Sequence, residues 1–105
     1  MDIQKNWIEE EKSWYVTLSG EVDIYNAPQL KETLLAVIDL NEGNMIIDCK
    51  DLAYIDSTGL GVLISLLKRV KEYDGSITIT ELKPYIGKIF TITGLDKVFN
   101  IQTQR

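Results

Sequence analysis

Residues 45–70 read MIIDCKDLAYIDSTGLGVLISLLKRV: a short apolar run, a polar loop and a long segment rich in aliphatic residues. The run Met45–Ile47 predicts a central strand, because a strand covered by helices is continuously apolar. Ser57 is predicted to open a helix with aliphatic residues on nearly every face, which is typical of a helix buried within its layer. This strand–loop–helix unit is the centre of an α/β fold.

The segments on either side continue the alternation of strands and helices. The further predicted strands are Ile3–Ile8, the period-two segment from Trp14 that ends at Gly20, Ile77–Thr80 and Val98–Ile101, and the further helices run from an Asn26 cap to Gly43 and from Pro84 to Gly94. Leu52 and Ile55 are expected to anchor a loop over residues 48–56. Together these elements predict one α/β domain, residues 1–105, with a mixed, mainly parallel sheet covered by about three to four helices.

Composition excludes several classes of function. The 105 residues include no histidine, which removes the usual general base, the Ser-His-Asp triad and most catalytic zinc sites. The single cysteine, Cys49, cannot form an internal disulfide and is expected to be buried as a small hydrophobe. A net charge of -5 without a basic stripe argues against nucleic-acid binding. No apolar stretch approaches the length of a membrane span, so a cytoplasmic protein is expected.

The segment YIDSTGLG, residues 54–61, is the strongest candidate for a functional site. The first N–H groups of a helix lack partners and favour an anion, so the N–H groups of Gly59 and Leu60 are expected to meet a phosphate on Ser57. Gly59 and Gly61 each cost a helix about 1 kcal/mol relative to alanine. The alternative is that Ser57 is only the helix N-cap, a role that serine favours.

A second candidate is Asp23, in the loop after the second strand. Binding loops gather at the carboxyl ends of parallel strands, so Asp23 is expected near Ser57, where it would orient the hydroxyl or accept a partner's hydrogen bond. A solvated loop aspartate is the alternative. Asp23, Asp51 and Asp56 are also an alternative magnesium site. The glycines near Ser57 leave a nucleotide-binding or enzymatic domain open, although no P-loop, dinucleotide fingerprint or nucleophile elbow is present.

Three segments in order resemble the anti-sigma factor antagonists, a family of stand-alone STAS domains. They are LSGEVD at 18–23, YIDSTGLG at 54–61 and LDKVF at 95–99. In this bacterial family, the unmodified antagonist binds an anti-sigma factor that is also a serine kinase, and the sigma factor is released. The kinase then phosphorylates the antagonist with ATP, the complex dissociates, and a phosphatase restores the binding form.

The resemblance places these roles on particular residues. It implies Ser57 as the phosphorylated residue, with Thr58 left open as a minor acceptor. The implied partner-binding residues are Asp23, Asp56, Ser57, Thr58, Gly59 and Gly61. The chain would be a substrate and ligand rather than an enzyme, with no cofactor. The alternative function is a STAS scaffold subunit of a larger signalling or transport assembly.

Overall fold

A mixed β-sheet with three α-helices forms the fold over residues 1–104, which the computed structural model describes. Arg105, the last residue of the predicted domain, lies outside them. The strands are β1 Asp2–Ile8, β2 Ser13–Val22, β3 Asn44–Asp48, β4 Leu52–Ile55, β5 Ile77–Leu82 and β6 Asn100–Thr103, and the helices are α1 Ala27–Leu40, α2 Ser57–Lys71 and α3 Pro84–Ile92. Short 3-10 turns cover Glu9–Glu11 and Leu95–Lys97. The prediction of three to four helices is therefore corrected to three in the described chain.

The sheet has the strand order β1-β2-β3-β5-β6, and β4 pairs with the far end of β2. β1 and β2 form an antiparallel hairpin, and every other pairing is parallel. The predicted mixed, mainly parallel sheet is confirmed. Its central strands carry fully buried aliphatic residues such as Ile47 and Ile79, as expected where helices cover a sheet.

Strand β2 changes partner at Gly20. Residues up to Thr17 pair with β3, whereas Gly20 to Val22 pair with β4, and the register shifts between Gly20 and Glu21. Gly20 has φ +85°, a conformation that glycine adopts without steric cost. The prediction that the strand ends at Gly20 is wrong, because this bulge redirects the strand rather than terminating it.

Strand β4 lies inside the segment that was predicted to be a loop. Leu52 and Ile55, the expected anchors, are both buried. Cys49 is buried as well, and burial raises the pKa of its thiol to about 12. No helix within residues 1–104 is long and apolar enough to cross a membrane.

The ends of two elements differ from the prediction. Helix α1 ends at Leu40 rather than at Gly43. Gly43 instead allows a close approach, because a Cβ there would lie 2.3 Å from the backbone oxygen of Lys12. Gly94, with φ +77°, follows α3 as predicted, and the last strand begins at Asn100, two residues later than expected.

Candidate functional site

The loops that carry Asp23 and Asp56 meet at one edge of the sheet. Val22 and Ile55 are register partners at the parallel ends of β2 and β4, so the next residue on each strand is an aspartate. The backbone N–H of Asp56 donates to the carbonyl oxygen of Val22 at 3.1 Å. The expectation that the two candidate segments share an edge of the sheet is confirmed.

Asp56, not Ser57, caps helix α2. Its backbone is extended, and its Oδ1 accepts hydrogen bonds from the N–H groups of Thr58 at 2.9 Å and Gly59 at 3.1 Å. The same oxygen accepts a short hydrogen bond from the Thr58 hydroxyl. Ser57 is the first helical residue. The interpretation of Ser57 as a simple N-cap is wrong, because the preceding carboxylate already fills that role.

These hydrogen bonds hold Asp56 in its charged form. Its pKa lies below the ordinary value of an aspartate, first because the Thr58 hydroxyl donates to the carboxylate and second because the Gly59 N–H does. Desolvation opposes the shift, and the N–H of Ile24 adds to it. The start of α2 therefore already carries an anion that belongs to the chain itself.

Asp56 also uses the backbone donors that were expected to meet a phosphate. The N–H of Gly59 donates to the Asp56 carboxylate, and the N–H of Leu60 donates to the Asp56 carbonyl oxygen at 3.0 Å. Both donors are therefore engaged in the unphosphorylated chain, and a phosphate on Ser57 could use them only by displacing Asp56. Of the first four N–H groups, from Asp56 to Gly59, only that of Ser57 makes no hydrogen bond within residues 1–104.

Ser57 and Thr58 differ sharply although they are adjacent. Ser57 is exposed, and no group among residues 1–104 hydrogen-bonds its hydroxyl. Thr58 is half-buried, and its hydroxyl donates to Asp56. The first turn of α2 therefore presents one free hydroxyl and one engaged hydroxyl.

Different structural features account for the two glycines of the segment 54–61. Gly59 is buried, and a Cβ there would lie 2.6 Å from Cγ1 of Ile55 and 2.8 Å from Cγ1 of Val22. Gly61 is exposed, and a Cβ there would meet no atom within 4 Å. Packing therefore explains Gly59, whereas neither packing nor backbone conformation requires a glycine at Gly61.

The Asp23 loop is ordered by its own polar side chains. Oδ1 of Asp23 accepts from the N–H groups of Tyr25 at 2.9 Å and Asn26 at 3.2 Å. Asn26 occupies the N-cap position of α1 as expected, but its side chain makes no capping bond. It accepts from the N–H of Asp23 and donates to the carbonyl of Glu21, both at 2.9 Å. Asp23 makes no hydrogen bond to Ser57, so the expectation that it orients this hydroxyl is wrong.

The ordered loop exposes two apolar residues that the sequence analysis did not single out. Ile24 is 62% exposed and Tyr25 is 92% exposed. Tyr54, on the neighbouring strand β4, is also exposed. Large apolar side chains in a short loop that follows a buried strand were the available signal. These three exposed side chains lie near the paired ends of β2 and β4, and we call Ile24, Tyr25 and Tyr54 the apolar rim.

The alternative magnesium site is not formed. Within residues 1–104, no three carboxylate or thiol side chains come together in a way that could hold a metal ion. Asp51 is exposed, and its backbone carbonyl accepts a hydrogen bond from Gly20 at 3.0 Å. The site thus consists of a helix start, an ordered loop and the apolar rim.

A model of the STAS domain family matches residues 7–105. The chain belongs to the STAS domain family. An anti-sigma-B factor antagonist of Bacillus subtilis (strain 168) is 35% identical over 104 residues, which are 99% of this chain and 94% of that relative. The resemblance that the three sequence segments carry is confirmed at the level of the family.

Solved structures support the same fold for this STAS domain. An anti-sigma factor antagonist from Mycobacterium paratuberculosis superposes with a TM-score of 0.78 at 25% identity, over 96% of this chain and 86% of that one. The anti-sigma factor antagonist SpoIIAA in its unphosphorylated form superposes with a TM-score of 0.82 at 18% identity, over 99% of this chain and 89% of that one. Bacillus SpoIIAA in the phosphorylated form superposes with a TM-score of 0.74 at 18% identity, over 99% of this chain and 92% of that one.

Proposed function

We propose that this STAS domain is an anti-sigma factor antagonist that is switched by phosphorylation of Ser57. The unphosphorylated form binds an anti-sigma factor that is also a serine kinase, and the sigma factor is released. Phosphorylation by that kinase ends the binding, and a phosphatase restores it. The similarity to the anti-sigma factor antagonists described above supports the antagonist role. The proposed partners act in the cytoplasm.

The observation that carries the proposal is the free hydroxyl of Ser57 at a fixed position. Asp56 caps the helix, so Ser57 is not needed to hold its start. Its exposed hydroxyl is open to an external group, as a phosphoacceptor must be. Gly59 is buried and holds the first turn against the sheet, so its contribution is to position the turn rather than to touch a partner.

The partner surface that we propose surrounds this hydroxyl. Ser57 and Gly61 lie one helical turn apart on the exposed face of α2, which the absent side chain of Gly61 leaves flat. The apolar rim borders it, and exposed aromatic side chains are common anchors in protein interfaces. Asp23, Asp56 and Thr58 supply the polar groups at its centre.

Charge explains how phosphorylation would end the binding. A phosphate adds about -1.5 to -2 charges at pH 7 and three acceptor oxygens. It would stand beside the Asp56 carboxylate on a chain of net charge -5. A partner surface that fits a neutral hydroxyl would have to accommodate this added charge and bulk at the interface. Since 1.4 kcal/mol is tenfold in affinity, a modest mismatch at the centre of the interface separates the partners.

The proposal is tested with paired baits in lysate of the source organism. Ser57→Ala should retain a protein that phosphorylates the wild-type chain with ATP, and Ser57→Asp should lose it. Ser65→Ala is the matched control, because Ser65 lies on the same helix and its hydroxyl donates to the Gly61 carbonyl. If the Ala and Asp baits retain the same proteins and none phosphorylates Ser57, the switch is wrong and the scaffold alternative is favoured.

A further inference from the structure

We infer that Asp56 selects the phosphoacceptor, because its carboxylate holds the Thr58 hydroxyl at the helix cap and leaves Ser57 as the one free hydroxyl of the adjacent pair. The inference rests on the proposed function, since it concerns the same phosphorylation. It gives Asp56 a role in specificity beyond capping the helix.

A kinase that approaches this turn meets two similar nucleophiles. Ser57 and Thr58 are neighbours whose Cα atoms are about 3.8 Å apart, so chain position alone discriminates poorly between them. Their environments supply the discrimination. Ser57 is exposed and its hydroxyl has no partner among residues 1–104, whereas the half-buried Thr58 donates to Oδ1 of Asp56.

The chemistry of phosphoryl transfer penalises the engaged hydroxyl. The acceptor oxygen forms a bond to the γ-phosphorus of ATP while the bond from that phosphorus to the β–γ bridging oxygen breaks, and ADP leaves. The hydroxyl proton passes to a carboxylate base of the kinase. Thr58 would first have to withdraw its proton from Asp56. The negative γ-phosphoryl oxygens would also have to approach the Asp56 carboxylate, to which Thr58 is directly bound.

Asp56 is poorly suited to activate Thr58 as a base. Its Oδ1 accepts from the Thr58 hydroxyl and from the N–H groups of Thr58 and Gly59, and these bonds lower its pKa. A carboxylate with a lowered pKa takes up a proton less readily. The Thr58 proton therefore stays on threonine, shared in a hydrogen bond that fixes the hydroxyl toward the cap.

Two substitutions at Asp56 separate this role from helix capping. Asp56→Gly removes the acceptor, while glycine is itself tolerated at a helix N-cap. Asp56→Asn keeps an acceptor oxygen for the Thr58 hydroxyl. Each is combined with Ser57→Ala, so that phosphate found on this turn can only be on Thr58.

The experiment uses the kinase retained by the Ser57→Ala bait, at saturating concentration, with γ-labelled ATP and phosphopeptide mapping. Wild type should be labelled on Ser57 alone, and Ser57→Ala should not be labelled. Asp56→Gly with Ser57→Ala should be labelled on Thr58 at least tenfold faster than Ser57→Ala. Asp56→Asn with Ser57→Ala keeps the acceptor but not the charge, so its rate should lie between those two. Amide NMR spectra verify that each variant is folded.

The outcomes separate this inference from the proposed function. Failure to label wild-type Ser57 overturns the proposed function and this inference with it. Labelled wild type together with a folded but unlabelled Asp56→Gly, Ser57→Ala variant overturns the inference alone. The inference alone is also overturned if the Ser57→Ala variant is labelled on Thr58 as fast as wild type is labelled on Ser57. A measurement without kinase checks the bond itself: a slowly exchanging Thr58 hydroxyl proton should be visible by NMR in wild type and lost in Asp56→Gly.

Discussion

A Cβ atom on Gly59 would lie 2.6 Å from Cγ1 of Ile55. This close approach fixes the first turn of α2 against the end of β4, and a second contact with Val22 fixes it against β2. The position of Ser57 is therefore set by the packing of its neighbours. Because core packing resists small displacements, the exposed hydroxyl is held on a rigid base.

Replacing Gly59 with alanine should destabilise the domain. The added methyl group would overlap two buried side chains, and overpacking of this kind costs about 1–3 kcal/mol. Urea unfolding followed by tryptophan fluorescence measures the loss in the free energy of unfolding. A Gly59→Ala variant as stable as wild type would show that Ile55 and Val22 can move aside.

Gly61→Ala should have the opposite effect on stability. No atom lies within 4 Å of the added methyl group, and an interior helix position gains about 0.5–1 kcal/mol when glycine becomes alanine. The same variant should bind the kinase more weakly, because the methyl group rises from the flat face beside Ser57. Urea unfolding measures the change in stability, and calorimetric titration with the kinase measures the change in affinity. Unchanged affinity would remove Gly61 from the proposed partner surface.

The elements that were predicted well are those whose signal is local. Met45–Ile47 is apolar throughout and became the core of β3, and Pro84 opens α3 as its fixed φ allows. Strand β4 was missed because its four residues show no clear period, and it forms by pairing with β2 beyond the bulge at Gly20. That pairing is a long-range contact that local pattern does not encode.

The roles of neighbouring polar residues were the harder part of the site. Asp56 and Ser57 are both good N-caps, and only the backbone geometry decides that the aspartate takes the position. Asp23 and Asn26 exchange hydrogen bonds across their loop in a similar way, so the asparagine orders the loop instead of capping α1 with its side chain. The polar residues of the candidate site were predictable from the sequence, whereas the hydrogen bonds between them and the exposure of Ile24 and Tyr25 were not.

The stabilising effect of Asp56 should depend on pH. Its pKa is lower in the folded protein than in the unfolded chain, so its contribution is present above about pH 4, the ordinary aspartate value, and is lost as the pH falls through the folded value. Alanine is a poor N-cap, so the stability difference between wild type and Asp56→Ala should be clear at pH 7 and shrink on acidification. Urea unfolding across that range measures it, with Asp51→Ala as an exposed control. A difference that does not change with pH would contradict the lowered pKa.

Cys49 should be inert toward thiol reagents in the folded protein. The thiolate is the reactive form, and burial raises the pKa of this thiol to about 12, so little thiolate forms at pH 8. We expect a chromogenic disulfide reagent to modify Cys49 only after urea unfolds the chain. Rapid modification without denaturant would show that the interior around Cys49 opens readily.

Phosphorylation of Ser57 should leave the fold intact and change its amide NMR spectrum locally. Three of the first four donors of α2 are already engaged, so the phosphate has only the Ser57 N–H to bond without displacing Asp56. The largest change should therefore be at the Ser57 amide, with smaller ones in the Asp23 loop. Comparison of ¹H–¹⁵N spectra before and after phosphorylation measures this. Large downfield shifts at the amides of Gly59 and Leu60 would instead mean that the phosphate replaces Asp56 as the anion at the helix start.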